Sequence, residues 1–145
     1  MKLSICFLIL SLSVSVPEWH TDFHKAQQEA VQSHKMILLN FSGSDWCGPC
    51  IRMKKEIFGA EAFNDYASEH LVLVNADFPR LKKDQLSKEQ IKQNEALADK
   101  YNKDGKFPFT VLLDANGKVL REWDGLPKET PELFVQEIKV LNAGS

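Results

Sequence analysis

Two cysteines three positions apart, and the segments on either side of them, constrain the fold of this chain most. A continuous apolar run over residues 36–41 is typical of a strand that is buried on both faces. A short loop and the sequence Trp46-Cys47-Gly48-Pro49-Cys50 follow it, and a helical pattern then covers residues 51–69. The pattern therefore predicts a strand, a loop and a helix, with both cysteines at the N-terminal end of the helix.

This placement suits thiol–disulfide exchange, which needs one thiolate that attacks and a second thiol that resolves the mixed disulfide. At a helix N-terminus, free N–H groups and the helix dipole stabilise a thiolate at Cys47. Cys50 lies about one turn later, close enough to close a ring with Cys47, and Pro49 is tolerated in a first helical turn. Because so short a loop adds little stability when it is cross-linked, we expect the value of the pair to be chemical.

The remaining elements follow from hydrophobic periodicity and turn signals. Helices are predicted over residues 22–34, 87–101 and 131–141, and strands over residues 71–75, 109–113 and 118–123. Thr21 or Asp22 is expected to cap the first helix, Ser87 with Gln90 fits a capping box, and the dipeptide Asn116-Gly117 predicts a hairpin. Alternating units that end in a hairpin imply an α/β fold with helices on both faces of a mixed sheet.

The N-terminal segment differs from the rest of the 145-residue chain. Lys2 precedes a short apolar run that ends before Pro17, so we interpret residues 1–16 as a secretory signal peptide and residues 17–145 as one domain. An uncleaved membrane anchor or a buried first strand is the alternative. Removal of the leader, which contains Cys6, would leave Cys47 and Cys50 as the remaining cysteines of an exported protein, periplasmic or secreted.

Charge and histidine spacing exclude two further classes of function. The net charge is −2 and no basic stripe is visible, so we expect no nucleic-acid partner. The four histidines show no ligand spacing with the cysteines, so we expect no metal. Trp19 and Trp123 are interpreted as packing residues, Asp45 as a surface charge and Glu56 as an ordinary charge on a helix face.

The sequence Trp46-Cys47-Gly48-Pro49-Cys50 resembles the active-site signature of the thioredoxin family. Phe107-Pro108 precedes a strand where that family places a cis-proline, and the order of the hairpin and the last helix also agrees. The likeness covers residues 22–141 and is greatest to exported bacterial members whose loop reads Gly-Ser-Asp-Trp-Cys. It implies a thioredoxin fold, a three-layer α-β-α sandwich around a mixed central sheet.

The resemblance also implies roles for individual residues. Cys47 would be the attacking thiol and Cys50 the resolving thiol, with no cofactor beyond their redox-active disulfide. The substrate-binding residues would be Trp46, Gly48, Pro49, Phe107 and Pro108. The Phe107–Pro108 bond is expected to be cis, and the backbone of Phe107 is expected to pair with an extended substrate segment.

Two departures from the family concern proton transfer at the resolving thiol. Asn40 stands where typical members have a buried Asp, and an amide cannot act as a base. Leu73 is taken as the position near which the family has a buried Lys. The loop from Asn40 to Cys47 is also one residue longer. Proton transfer at Cys50 is therefore expected to pass through water or to be slower.

Several functions are compatible with this sequence. The first is an enzyme that reduces disulfides in exported proteins, acting as a monomer on protein thiols and disulfides and recharged by a membrane thiol-reducing donor. Oxidation or isomerisation of disulfides is the alternative direction. A non-catalytic binding module on the same fold is a second hypothesis. A zinc-binding Cys-x-x-Cys module is a third, and it would need ligands from a dimer or from distant histidines.

Overall fold

The computed structural model describes residues 16–142, so the predicted leader lies outside the described residues except for Val16. This range contains five strands and five α-helices, with one 3-10 turn at Lys82–Asp84. Their bounds in chain order are β1 Trp19–His20, α1 Phe23–Ser33, β2 Met36–Ser42, α2 Gly48–Glu56, α3 Glu61–His70, β3 Leu71–Asp77, α4 Lys88–Tyr101, β4 Phe109–Leu113, β5 Val119–Asp124 and α5 Pro131–Asn142.

The strands form one mixed sheet in the order β1-β3-β2-β4-β5. β1 and β2 both run parallel to β3, and β4 runs antiparallel to β2 and to β5. The central strand β2 is buried along its whole length. A strand with neighbours on both sides and helices over both faces must be apolar on both faces, which explains its continuous hydrophobic run.

Two apolar clusters, one on each face of the sheet, make up the core. Alternate residues of β2 enter different clusters: Leu38 packs with the cluster that includes Met53 and Phe134, and Leu39 with the cluster that includes Ala26 and Leu97. Helices α2, α3 and α5 therefore cover one face, and α1 and α4 cover the other. The predicted three-layer α-β-α sandwich of the thioredoxin fold is confirmed.

The helical pattern over residues 51–69 forms two helices that are separated by residues 57–60, as the interruption at Gly59 predicted. The N–H groups of Ile57 and Phe58 both donate to the carbonyl oxygen of Met53, which closes the end of α2. A Cβ atom at Gly59 would lie 2.7 Å from the carbonyl oxygen of Lys55. Glycine, which has no Cβ atom, therefore fits this turn, whereas a residue with a side chain would force the backbone to shift.

Two local predictions need correction. The two-residue strand β1 was not predicted, because two residues are too few to show an alternating pattern. At the start of α4, Ser87 accepts a hydrogen bond from the backbone N–H of Gln90, but the Gln90 side chain donates to the carbonyl of Thr21 and to Asn94. The capping box is thus only half formed. Asp22 is the cap of α1, and its side chain accepts from the N–H of Lys25.

The other features agree with expectation. Gly117 has a positive φ of 86° in the β4–β5 turn, which is the backbone conformation that the predicted hairpin required. Trp19 packs against Phe58 with ring centroids 4.9 Å apart, and Trp123 packs against Phe134 at the same separation. Within residues 16–142, no helix combines the length and the apolar character that crossing a bilayer requires.

Candidate active site

The start of α2 brings the two cysteines together. Cys47 is the N-cap residue in an extended conformation, and its sulfur accepts a hydrogen bond from the N–H of Cys50 at 3.2 Å. Cys47 and Cys50 form a disulfide with Cα atoms 5.2 Å apart, as their spacing predicted. Pro49 lies in the first helical turn, where its missing N–H would have had no helical partner.

The two sulfur-bearing residues are buried, and the residues between them are not. Cys47 is 5% exposed and Cys50 is 3% exposed, whereas Gly48 and Pro49 are exposed. The sulfur of Cys50 also accepts from the N–H of Gly43 at 3.5 Å. The Cys47 sulfur thus accepts from an N–H in the first turn of α2 and the Cys50 sulfur from an N–H of the loop after β2, and such N–H groups stabilise negative sulfur after reduction.

Trp46 is held in place on three sides. Its Nε1–H donates to the carbonyl oxygen of Phe78 at 2.8 Å, and the Phe107 ring meets it edge-on at a centroid distance of 5.4 Å. The guanidinium carbon of Arg80 lies 3.7 Å from the ring centroid, within the range of a cation–π contact. Gly43 lies under the same ring, so a Cβ atom there would overlap Trp46.

The Phe107–Pro108 peptide bond is cis, as predicted. Pro108 is buried and its carbonyl oxygen accepts from the N–H of Gly125 at 2.9 Å. Phe107 is half-buried beside Trp46. Among residues 16–142, neither the N–H nor the carbonyl oxygen of Phe107 has a hydrogen-bond partner. A short stretch of backbone is therefore free to pair with another chain near the tryptophan.

Asp45 has more than the surface role that was predicted for it. Its carboxylate accepts from the N–H of Arg80 at 3.0 Å and from the N–H of Leu81 at 2.8 Å. The hydrogen bond from Arg80, followed by that from Leu81, outweighs partial desolvation and holds the pKa of Asp45 below its ordinary value. Asp45 thereby fastens the segment after β3 to the active-site loop. Glu56 pairs with Arg52 on the helix surface, as expected.

Amide and hydroxyl groups of the neighbouring strands β2, β3 and β4 hydrogen-bond to one another near the disulfide. Nδ2 of Asn40 donates to Oδ1 of Asn75 at 3.2 Å, and Oγ1 of Thr110 donates to Oδ1 of Asn40 at 3.1 Å. The β2–β3 register places Asn75 opposite Asn40 and pairs Leu73 with Leu38. Asn75 is therefore the β3 residue beside Asn40, whereas the expectation that Leu73 lies near the position of the family's buried Lys stays a prediction.

A cavity of about 340 Å³ adjoins this polar set and reaches Cys50. Apolar side chains form part of its wall, and Asn40, Asn75 and Lys54 contribute polar groups. Trp19, which was predicted only as a packing residue, also lines it. Among residues 16–142, His, Cys, Asp and Glu side chains do not gather in threes as metal ligands would.

The chain belongs to the thioredoxin family, since the family model described as a thioredoxin-like domain matches residues 23–140. It is 39% identical to "Disulfide bond reductase DsbH" of Chlamydia pneumoniae over 71% of this chain and 60% of that protein. It is 32% identical to "Thioredoxin-related protein DsbJ" of the same organism over 73% of this chain and 33% of that protein. The chain thus spans less than two thirds of the length of these two relatives.

A solved structure described as "DsbH Oxidoreductase" has the same fold. The two structures superimpose with a TM-score of 0.80 at 31% identity, over 97% of this chain and 94% of the other. The fold described above is therefore shared with that protein over nearly the whole length of both chains.

Sequence reasoning missed four residues around the site: Asn75, Thr110, Lys54 and Arg80. Asn75 and Thr110 are polar residues inside otherwise apolar strands, and that interruption was the signal that could have identified them. Lys54 lies four residues after Cys50, a spacing that places both on one helix face. No sequence pattern identifies Arg80, because its position over Trp46 depends on the path of the loop after β3.

Proposed function

We propose that this protein is a thiol–disulfide oxidoreductase that reduces disulfides in exported proteins. The observation that supports this most is the Cys47–Cys50 disulfide at the start of α2, where the N–H of Cys50 in the first helical turn donates to the Cys47 sulfur. This arrangement favours the thiolate that disulfide exchange requires. A short helical loop of this kind gives the bond little structural value, which argues for a chemical one.

In the proposed reaction the Cys47 thiolate attacks a substrate disulfide. A bond forms between Cys47 Sγ and one substrate sulfur, and the other substrate sulfur leaves as a thiolate. Cys50 then attacks Cys47 Sγ, which restores the Cys47–Cys50 disulfide and releases the second substrate thiol. The unpaired N–H and carbonyl groups of Phe107 would hold the substrate backbone in an extended conformation beside the disulfide.

Two observations support reduction as the direction. Gly48 and Pro49 between the cysteines resemble the reducing thioredoxins, and the relative DsbH is named a disulfide bond reductase. Each turnover consumes two electrons, so a reductase that acts outside the cytoplasm needs a donor such as a membrane thiol-reducing system. The apolar N-terminal run supports export to the periplasm or beyond.

The test is insulin reduction in the presence of dithiothreitol, with single cysteine variants. Cys47→Ser is expected to fall to the uncatalysed rate, because it lacks the attacking sulfur. Cys50→Ser, reduced and then mixed with substrate after dithiothreitol has been removed, should accumulate a mixed disulfide, since the variant has no resolving thiol. Full activity in Cys47→Ser would contradict the proposal. A double Cys→Ser variant that still retains its protein partners would favour a binding module instead.

A further inference from the structure

Among residues 16–142, no carboxylate lines the cavity beside Cys50. The residues that line its cavity are Trp19, Asn40, Ser42, Ser44, Cys50, Ile51, Lys54, Phe58 and Asn75. Apart from Cys50, Lys54 is the single ionisable residue among them. The cavity volume of about 340 Å³ is large enough for several water molecules, and although most of the wall is apolar, its amide, hydroxyl and ammonium groups offer them hydrogen-bond partners.

The amide groups beside Cys50 are not proton acceptors. Oδ1 of Asn40 already accepts from Thr110, and Nδ2 of Asn40 donates to Asn75. An amide does not take up a proton at neutral pH in any case. The proton of the Cys50 thiol must therefore leave to water, and the cavity offers a route that does not pass the substrate.

Lys54 is well placed to act on Cys50. It lies one turn later on α2, and helical side chains lean towards the N-terminus, which here is the direction of Cys50. Among residues 16–142, the Lys54 ammonium has no salt bridge or hydrogen bond. By contrast, Arg52 on the same helix is paired with Glu56.

The other charged groups near the cavity already have partners. On the active-site loop, Asp45 accepts hydrogen bonds from the backbone of residues 80 and 81. On β3, Asp77 accepts from the N–H and hydroxyl of Ser44. On β1, His20 is paired with Glu29. In the described part of the chain, no carboxylate lines the cavity between the Lys54 ammonium and Cys50.

We propose that Lys54 is a positioning residue for the resolving step, and that its ammonium stabilises the Cys50 thiolate across the cavity. The Cys50 S–H bond breaks and its proton passes to cavity water. The Cys50 sulfur then forms a bond to Cys47 Sγ, the bond between Cys47 and the substrate sulfur breaks, and that sulfur leaves with the electron pair and is protonated by water. This inference rests on the proposed function.

The experiment is stopped-flow reaction of the reduced protein with the aromatic disulfide DTNB, followed by absorbance of the released thiolate between pH 5 and pH 9. The first equivalent reports attack by Cys47, and the second reports resolution by Cys50. Lys54→Met is compared with Lys55→Met, because both lysines are exposed on α2 but only Lys54 lines the cavity. Lys54→Arg keeps the charge.

In Lys54→Met we expect the rate of the first phase to be unchanged and the second phase to be about five- to tenfold slower at pH 7. The pH midpoint of the second-phase rate should move upward by about one unit. Lys55→Met should match the wild type, and Lys54→Arg should restore most of the rate. Equal second phases in Lys54→Met and Lys55→Met would overturn the inference. A wild-type protein that releases no thiolate in the first phase would overturn the proposed function and the inference with it.

Discussion

The two sides of the Cys47–Cys50 disulfide are built differently. On the Cys47 side, Trp46 is fixed by Phe107, Arg80 and the Phe78 carbonyl, so the surface there is a set of rings in direct contact. On the Cys50 side, amide groups and one lysine form part of the wall of a cavity that is otherwise mostly apolar. Rigid packing preserves a recognition surface, whereas a cavity with polar groups in its wall admits water. The difference supports the proposal that the Cys47 side binds the substrate and that the Cys50 side passes the proton to water.

Of the changes that test this comparison, a buried carboxylate on the Cys50 side should have the largest effect, and it acts on the free energy of unfolding. Asn40→Asp removes the donor to Asn75 and sets a carboxylate against the Asn75 oxygen, so we expect a loss of about 3 kcal/mol of unfolding free energy at pH 8. Burial raises the folded-state pKa of the new carboxyl above its unfolded value. The variant should therefore be most stable at low pH and lose stability as pH rises through that folded-state pKa.

Urea unfolding of Asn40→Asp at pH 5 and pH 8 measures this effect. Asn116→Asp, at an exposed position in the hairpin, is the matched control and should show no such difference between the two pH values. Equal losses of unfolding free energy at the two pH values in Asn40→Asp would contradict this account, because they would show that water solvates a charge at this position.

Packing on the Cys47 side is tested by Gly43→Ala. The added Cβ would overlap the Trp46 ring, so either the ring or the loop must shift. We expect a loss of about 1–3 kcal/mol in unfolding free energy and a changed Trp46 environment in the near-ultraviolet circular dichroism spectrum. Gly48→Ala is the control, because a Cβ there meets no atom within 4 Å. Two variants of equal stability would contradict the tight packing described here.

The smallest expected effect concerns the link between the Cys47 side and the segment after β3. The pKa of Asp45 is lowered because its ionised form accepts from Arg80 and Leu81. The resulting stabilisation is present above the ordinary carboxyl pKa and is lost as pH falls through the lower folded-state value. NMR should therefore show the Arg80 and Leu81 amide resonances moving together below about pH 4. In Asp45→Asn this coupled movement should disappear, and its persistence would assign it to another carboxyl.

The sequence predicted the framework of the fold because buried strands and capped helices have local signatures. The continuous run of β2, the turn at Gly117 and the interruption at Gly59 each follow from properties of a few adjacent residues. The same is true of the Cys47–Cys50 pair, whose spacing and helix position are both local.

The missed features depend on contacts between distant segments. Asn75 faces Asn40 because of the register of two parallel strands, which brings together residues that are 35 positions apart in sequence. Arg80 reaches Trp46 because Asp45 binds the backbone of its loop. The cavity beside Cys50 depends on all of these placements at once, so no sequence pattern identifies it.

The equilibrium reduction potential of the Cys47–Cys50 pair tests the central claim most directly. It would be measured against a glutathione or dithiothreitol series on protein that begins near Val16. The account predicts a value near about −270 mV, in the range of reducing thioredoxins. A value between about −120 and −180 mV would contradict it and assign the protein to the enzymes that introduce or rearrange disulfides.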